Sequence, residues 1–160
     1  MNNIFQDIID RLSILNILSE YVIEIGLFDG NETKTVQITS GETTYQVSIR
    51  DLTYFAEFGT VTFPGKFLLK HFTEYVNQQL PDFVNTIYDG VMNQNWEAPQ
   101  IDVAARDFED KINTYIFNYL SAYPDSVNFL AKTLNLPTNS LYTMDIAFLK
   151  KYISCKIYRK

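Results

Sequence analysis

Tyr152-Ile-Ser-Cys-Lys-Ile-Tyr158 decides the fold of this chain. Ile153, Cys155 and Ile157 fall on one side of an extended backbone and Ser154 and Lys156 on the other, which is the alternation of a half-buried strand. The stretch follows a long block of helical spacing, so its strand partner has to come from much earlier in the chain. Candidates lie near the other end. Tyr21 to Phe28 is rich in aromatic and β-branched residues, as strands are. Asp29-Gly30-Asn31 is a turn signal. Thr35 to Thr39 and Thr43 to Ser48 are short, Thr- and Val-rich, and separated by Ser40-Gly41-Glu42, as in a hairpin. A terminal strand returning to an early sheet after a helical block predicts an α+β fold. The expected sheet is small and mainly antiparallel, three early strands plus the C-terminal one, with helices packed on one face.

The helical block is legible in pieces. Ile4 to Glu20 has a wide apolar face and few charges, so it should be buried on more than one side or packed on a partner. Ser48, followed by Asp51, caps a short helix from about Arg50 to Phe58 that stops at Gly59. A long pattern runs from Lys66 to Val91 with Pro81 inside it. A proline there removes one backbone bond and costs about 3 kcal/mol, so a kink or restart is expected near Gln79 to Pro81. Asn93 to Gln100 reads as a loop. Ile101 to Leu120 is helical, and Ser126 to Leu134 forms a further turn or two between Pro124 and Pro137. We expect a single domain over residues 1–160: an N-terminal helix (1–20), possible as an interface, and an α+β body (21–160).

Composition bounds the function. At 160 residues the chain can bury about two-thirds of its unfolded surface. With 46% hydrophobic and 20% charged residues it is globular, not disordered. A net charge of -6 argues against binding nucleic acid through a basic surface. Five of the thirteen basic residues (Lys150, Lys151, Lys156, Arg159 and Lys160) crowd the C-terminal segment, which reads as a local basic patch or, more simply, as a solvated strand end. Tyr (11) and Phe (12) are abundant beside a single Trp, a surplus that fills cores and also suits interfaces. Cys155 is the only cysteine, so no internal disulfide forms, which fits a reducing compartment. No apolar run reaches the roughly 18 residues that span a bilayer, and the start lacks the basic region of a signal peptide. A soluble, intracellular product is expected.

Catalytic chemistry is sparse. His71, the only histidine, lies in an apolar helical run beside Phe72. Any nucleophile–His–acid triad must use it, and a packed or surface imidazole is the simpler assignment. Cys155, on the apolar side of its strand, reads as a buried inert thiol. Asp102, Asp107, Glu109 and Asp110 cluster on a helix with no His or Cys nearby to complete a metal set. Asp29-Gly-Asn-Glu32 lacks the alternating ligands of a calcium loop, and no Gly-rich phosphate loop occurs. No enzyme activity, cofactor or metal is expected.

One corner concentrates aromatics and glycines instead: Tyr54-Phe-Ala-Glu-Phe-Gly-Thr-Val-Thr-Phe-Pro-Gly-Lys-Phe67. With Ile25-Gly-Leu-Phe28 before it, it supplies Glu57-Phe-Gly-Thr60 and Phe63-Pro-Gly-Lys-Phe-Leu68. After it come Ser140-Leu-Tyr-Thr-Met-Asp145 and Ile153-Ser-Cys-Lys-Ile157. In this order the chain resembles the tail-completion (neck, head-to-tail joining) proteins of tailed bacteriophages, over roughly Val22 to Lys160. Gly65 and Lys66 stand where the family pattern has other residues.

The resemblance implies a non-enzymatic structural protein forming a ring at the head–tail junction. It implies a homo-oligomer, a hexamer or dodecamer, assembled by head-to-tail contacts between copies. Its neighbours would be a connector or stopper and a tail tube or sheath, with DNA a transient passenger and no membrane partner. Its location would be the virion neck, and the host cytoplasm during assembly. For that role the interface residues are Glu57, Phe58, Gly59, Thr60, Phe63, Pro64 and Phe67, with Phe58 and Phe67 as anchors and Gly59 and Pro64 as backbone devices. The same residues have a second reading, in which they only end one helix and begin another inside a monomer core. The alternative function is a small intracellular binding module that docks through its apolar N-terminal helix.

Overall fold

The computed structural model describes residues 4–40, 43–59, 65–122 and 146–160. Along the chain these form α1 (Ile4–Ser19), β1 (Tyr21–Leu27), β2 (Thr35–Ser40), β3 (Thr43–Ser48), α2 (Ile49–Phe58), α3 (Leu68–Gln94), α4 (Ala98–Ser121) and β4 (Ile153–Arg159). Short 3-10 segments at Asn31–Thr33 and Ile146–Lys151 precede β2 and β4. The further helical turn expected at Ser126 to Leu134 lies outside the described residues.

The class is α+β, and the last strand does return to the first. The four strands divide into two antiparallel pairs, β1–β4 and β2–β3. The cause lies between β1 and β2: Asp29 and Gly30 both take positive φ (59° and 75°) and a 3-10 turn follows. The chain is redirected there, and β2 finds its partner in β3, with Thr35 opposite Ser48 and Ser40 opposite Thr43.

By its internal contacts the chain divides into two compact units, Met1–Glu24 with Glu74–Asn113 and Cys155–Lys160, and Ile25–Thr73 with Thr114–Ser154. In the first unit the α4 stripe Ile101, Ala104, Ala105, Phe108 and Ile112 is buried, as are Val76, Phe83 and Ile87 of α3. The Phe83 and Phe108 rings stack with centroids 4.5 Å apart and planes 6° from parallel. The connection between the two helices is only residues 95–97, shorter than the loop expected over Asn93 to Gln100. Local bonds tighten it. The Trp96 N–H donates to the Gly90 carbonyl at 3.0 Å, and the Glu97 N–H donates to Gln100 Oε1 at 3.1 Å, half of a capping box. Gly90 is required here, because a Cβ would run into the Trp96 indole.

Pro81 does not restart the helix: α3 is continuous from Leu68 to Gln94. Pro81 and Asn77, whose carbonyl loses its partner to the ring, are both exposed, so water can take up the freed acceptor. The opposite face is held by buried Val76, Phe83 and Ile87.

The terminal strand is clasped by α4. Asp102, Glu109 and Asn113 follow one another at i, i+7 and i+11 and so share a helix face. The Tyr21 hydroxyl donates to Asp102 at 2.5 Å. The Ile157 N–H donates to Glu109 Oε2 at 2.5 Å. Asn113 takes both backbone groups of Cys155, accepting its N–H at 2.7 Å and donating to its carbonyl at 3.1 Å. The Lys160 N–H donates to the Glu20 carbonyl on the β1 side. Even-numbered β4 residues therefore face β1, while Cys155 and Ile157 turn their backbone groups to α4. Side chains thus close an edge that would otherwise offer itself to another strand. Arg159 pairs with Glu20 beside it.

Candidate functional site

The site is the corner joining α2 to α3 in the second unit. Ser48 caps α2, its hydroxyl accepting the Asp51 N–H at 3.0 Å. Ile49, Leu52 and Ala56 then bury one face of the helix. Glu57 lies on that same face and is only 6% exposed. A carboxylate there needs a partner. It accepts the Leu69 N–H at 2.7 Å, in the first turn of α3, where a negative charge meets the positive end of the helix dipole. The backbone completes the exchange. Lys66 and Phe67 N–H groups donate to the Ala56 and Glu57 carbonyls at 2.8 and 3.0 Å. The last turn of one helix and the first turn of the next thus satisfy each other's orphan groups.

Glycines permit this closeness. Gly59 ends α2 at φ 81° and ψ −175°, a region open essentially to glycine alone. Gly65 sits so near α2 that a Cβ would lie 2.5 Å from the Glu57 carbonyl oxygen and 2.8 Å from the Gly59 nitrogen. Phe67 is the exception to the chemistry: a bulky residue at φ 50°. Such a conformation costs about 1–2 kcal/mol outside glycine.

Three rings face outward. Tyr54, Phe58 and Phe67 are 59%, 60% and 53% exposed. Tyr54 and Phe58 are one helical turn apart with ring centroids at 4.9 Å. Beside them opens a cavity of about 340 Å³ whose wall includes Gly26, Leu27, Tyr54, Phe58 and Leu69, with three charged residues, Glu32, Arg50 and Glu57. Among the described residues neither the Glu32 carboxylate nor the Arg50 guanidinium has an ion-pair partner.

Of the residues expected to form the interface, Phe58 and Phe67 are exposed, Gly59 is a backbone device, and Glu57 points inward as a cap. Thr60, Phe63 and Pro64 lie outside the described residues. Tyr54, Arg50, Glu32 and Gly26 were not anticipated. For Tyr54 a signal existed: two aromatics four apart on the polar side of an amphipathic helix. For the others there was none, because the cavity joins β1, the 3-10 turn and α2.

The residues considered for catalysis are dispersed. His71 Nε2 lies 2.8 Å from the Tyr115 hydroxyl, and its ring stacks on Tyr119 at 4.2 Å. Its ring also contacts the Phe72 and Tyr115 rings, and among the described residues no carboxylate is hydrogen-bonded to it. Cys155 is 1% exposed, and burial, then the charge of Glu109, pushes its thiol up to about 12. The thiolate that nucleophilic chemistry needs is absent near neutral pH. The acidic cluster is split: Asp102 and Glu109 serve the strands, while Asp107 and Asp110 are exposed. Among the described residues no group of His, Cys, Asp and Glu is placed to hold a metal, and no helix is long and apolar enough to cross a membrane.

Two other surfaces stand out. A groove of about 460 Å³ between α3 and α4 has the Phe83–Phe108 stack, Trp96 and Val103 in its wall, with Asp82, Asp107 and Lys111. On α1, Ile8, Ile9, Leu12 and Leu15 are 48–61% exposed, while Ile14 is buried. No protein-family model, curated protein or solved structure matches this chain.

Proposed function

We propose that the chain is a structural virion protein that forms a ring at the phage head–tail junction, each copy contacting the next through the α2–α3 corner. The observation that carries this reading is the corner itself, where reciprocal caps fix the backbone and three large aromatic residues are more than half exposed. Rigid, exposed aromatics are what protein interfaces use, because they bury much area at little cost in side-chain entropy. The ordered motifs that resemble the tail-completion proteins run through the same corner. The acidic balance suits a duct through which DNA passes without being held. In this role the protein has no catalytic step. Its partners are copies of itself, a connector or stopper, and a tail tube or sheath. Mass spectrometry of purified particles tests the reading: the chain should be present in a fixed small copy number, and its absence from them sinks the proposal.

A second reading rests on α1. Ile8, Leu12 and Leu15 recur at helical spacing on an exposed face, as expected of a helix that docks on a partner protein. In a binding module of this kind, Ile8→Asp with Leu12→Asp abolishes partner capture and leaves the melting temperature unchanged. A fall in melting temperature would assign that face to the fold instead.

A further inference from the structure

The groove between α3 and α4 lies within the first unit and has no part in the ring reading. Its volume of about 460 Å³ falls in the range of small-molecule sites. Its apolar wall is set in place before any ligand arrives. The buried Phe83 and Phe108 rings stack on each other, and Trp96 packs on Gly90, where any side chain would collide with the indole. Val103, on the same wall, is 52% exposed. Three charged residues also belong to the wall, Asp82 on α3 and Asp107 and Lys111 on α4. All three are exposed and, among the described residues, none has an ion-pair partner.

The order of these groups along the groove identifies a ligand. α3 and α4 are joined by residues 95–97 alone, so they form an antiparallel pair, and the Phe83–Phe108 stack fixes their register. Trp96 and Val103 therefore stand at the turn end, where the wall carries no charge. Asp82 and Asp107 come next, each beside one of the stacked rings. Lys111 comes last, one turn beyond Asp107, and a helical side chain leans toward the N-terminus, here back toward Asp107. From Val103 to Lys111 the helix rises about 12 Å. An apolar end, two carboxylates and an ammonium are the complement of an apolar group, an amine and a carboxylate in that order. We infer that the groove binds a free aromatic α-amino acid, with its ring against Trp96 and Val103, its ammonium between Asp82 and Asp107, and its carboxylate at Lys111. A simple amine would leave Lys111 facing a bound cation, and a simple acid would meet two carboxylates. A zwitterion serves all three charges. An aromatic ring suits the apolar end better than an aliphatic chain, because it can stack or meet the indole edge to face.

Trp96 is the only tryptophan, so its emission reports occupancy on the full chain. L-phenylalanine should change that emission saturably and raise the melting temperature. 2-Phenylethylamine, 3-phenylpropionate and L-leucine should each bind at least about tenfold more weakly. Val103→Asp should abolish phenylalanine binding with the melting temperature retained, since the site is half exposed. Lys111→Gln should reduce phenylalanine to the level of 2-phenylethylamine. Asp107→Asn should weaken phenylalanine and 2-phenylethylamine while leaving 3-phenylpropionate unchanged or improved. No saturable change at millimolar phenylalanine, an amine, acid or leucine that binds as tightly, or an unchanged preference in Lys111→Gln overturns the inference. The ring reading fails or stands on the content of virus particles, which this titration does not touch.

Discussion

Two regions solve the same problem in opposite ways. At the α4–β4 clasp and at the α2–α3 corner, a side chain takes up a backbone N–H that secondary structure leaves unpaired. The clasp uses Asn113 and Glu109 on β4, and the corner uses Glu57 on α3. Around the clasp the apolar groups are inside, Cys155 and Ile153 among them. Around the corner three aromatic rings are outside, and one of them occupies an unfavourable backbone conformation. Polar satisfaction alone therefore does not mark a surface as finished. The clasp closes an edge, while the corner fixes a platform on which Tyr54, Phe58 and Phe67 are more than half exposed.

The difference can be broken or sharpened by substitution. The largest effect should come from Gly65→Val, because the added carbon meets backbone of the preceding helix, which cannot give way. We expect a loss of about 3 kcal/mol in urea denaturation. Asn113→Ala should cost about 2–3 kcal/mol, since it strands both backbone groups of Cys155, and hydrogen exchange at Cys155 should accelerate with it. Glu57→Ala removes one acceptor and should cost about 1–2 kcal/mol, largely recovered in Glu57→Gln, whose carbonyl can still take the Leu69 N–H. Phe67→Asn should move the other way, gaining up to about 1 kcal/mol in thermal unfolding. A loss instead would mean that the Phe67 ring supports its own fold.

The mildest probe near neutrality is pH, and it should separate the regions. Burial raises the Cys155 thiol from 9.0 to about 12. Burial first, then the hydrogen bond to Asp102, raises the Tyr21 phenol from 10.0 to about 12. Both groups favour the neutral form in the folded state. The stability they confer is complete below the unfolded values and is lost as pH rises toward 12. Hydrogen exchange between pH 9 and 11 should therefore show β4 loosening before the corner, and simultaneous loss of both would contradict the assignment.

Much of this was legible locally. The alternation at Ile153, Cys155 and Ile157, the Ser48–Asp51 cap and the Gly59 stop are properties of a few adjacent residues. They hold wherever the chain goes next. Pro81 misleads at the same level, because its cost falls on a solvent-facing carbonyl and is outweighed by burial on the other side of α3. Glu57 was legible as part of a corner but not as a cap. A carboxylate among Ile49, Leu52 and Ala56 signals a hidden partner without naming it.

By itself, then, the sequence determined the α+β class, the cap and the glycine stop of α2 and the alternation of the last strand, because periodicity and capping act over one or two turns. Only the tertiary structure decided that the strands form two pairs, that Asn113 serves Cys155 from 42 residues away, and that Phe67 stands outward beside a cavity. Those outcomes depend on which distant groups the fold brings within hydrogen-bond reach, and no local pattern carries that information.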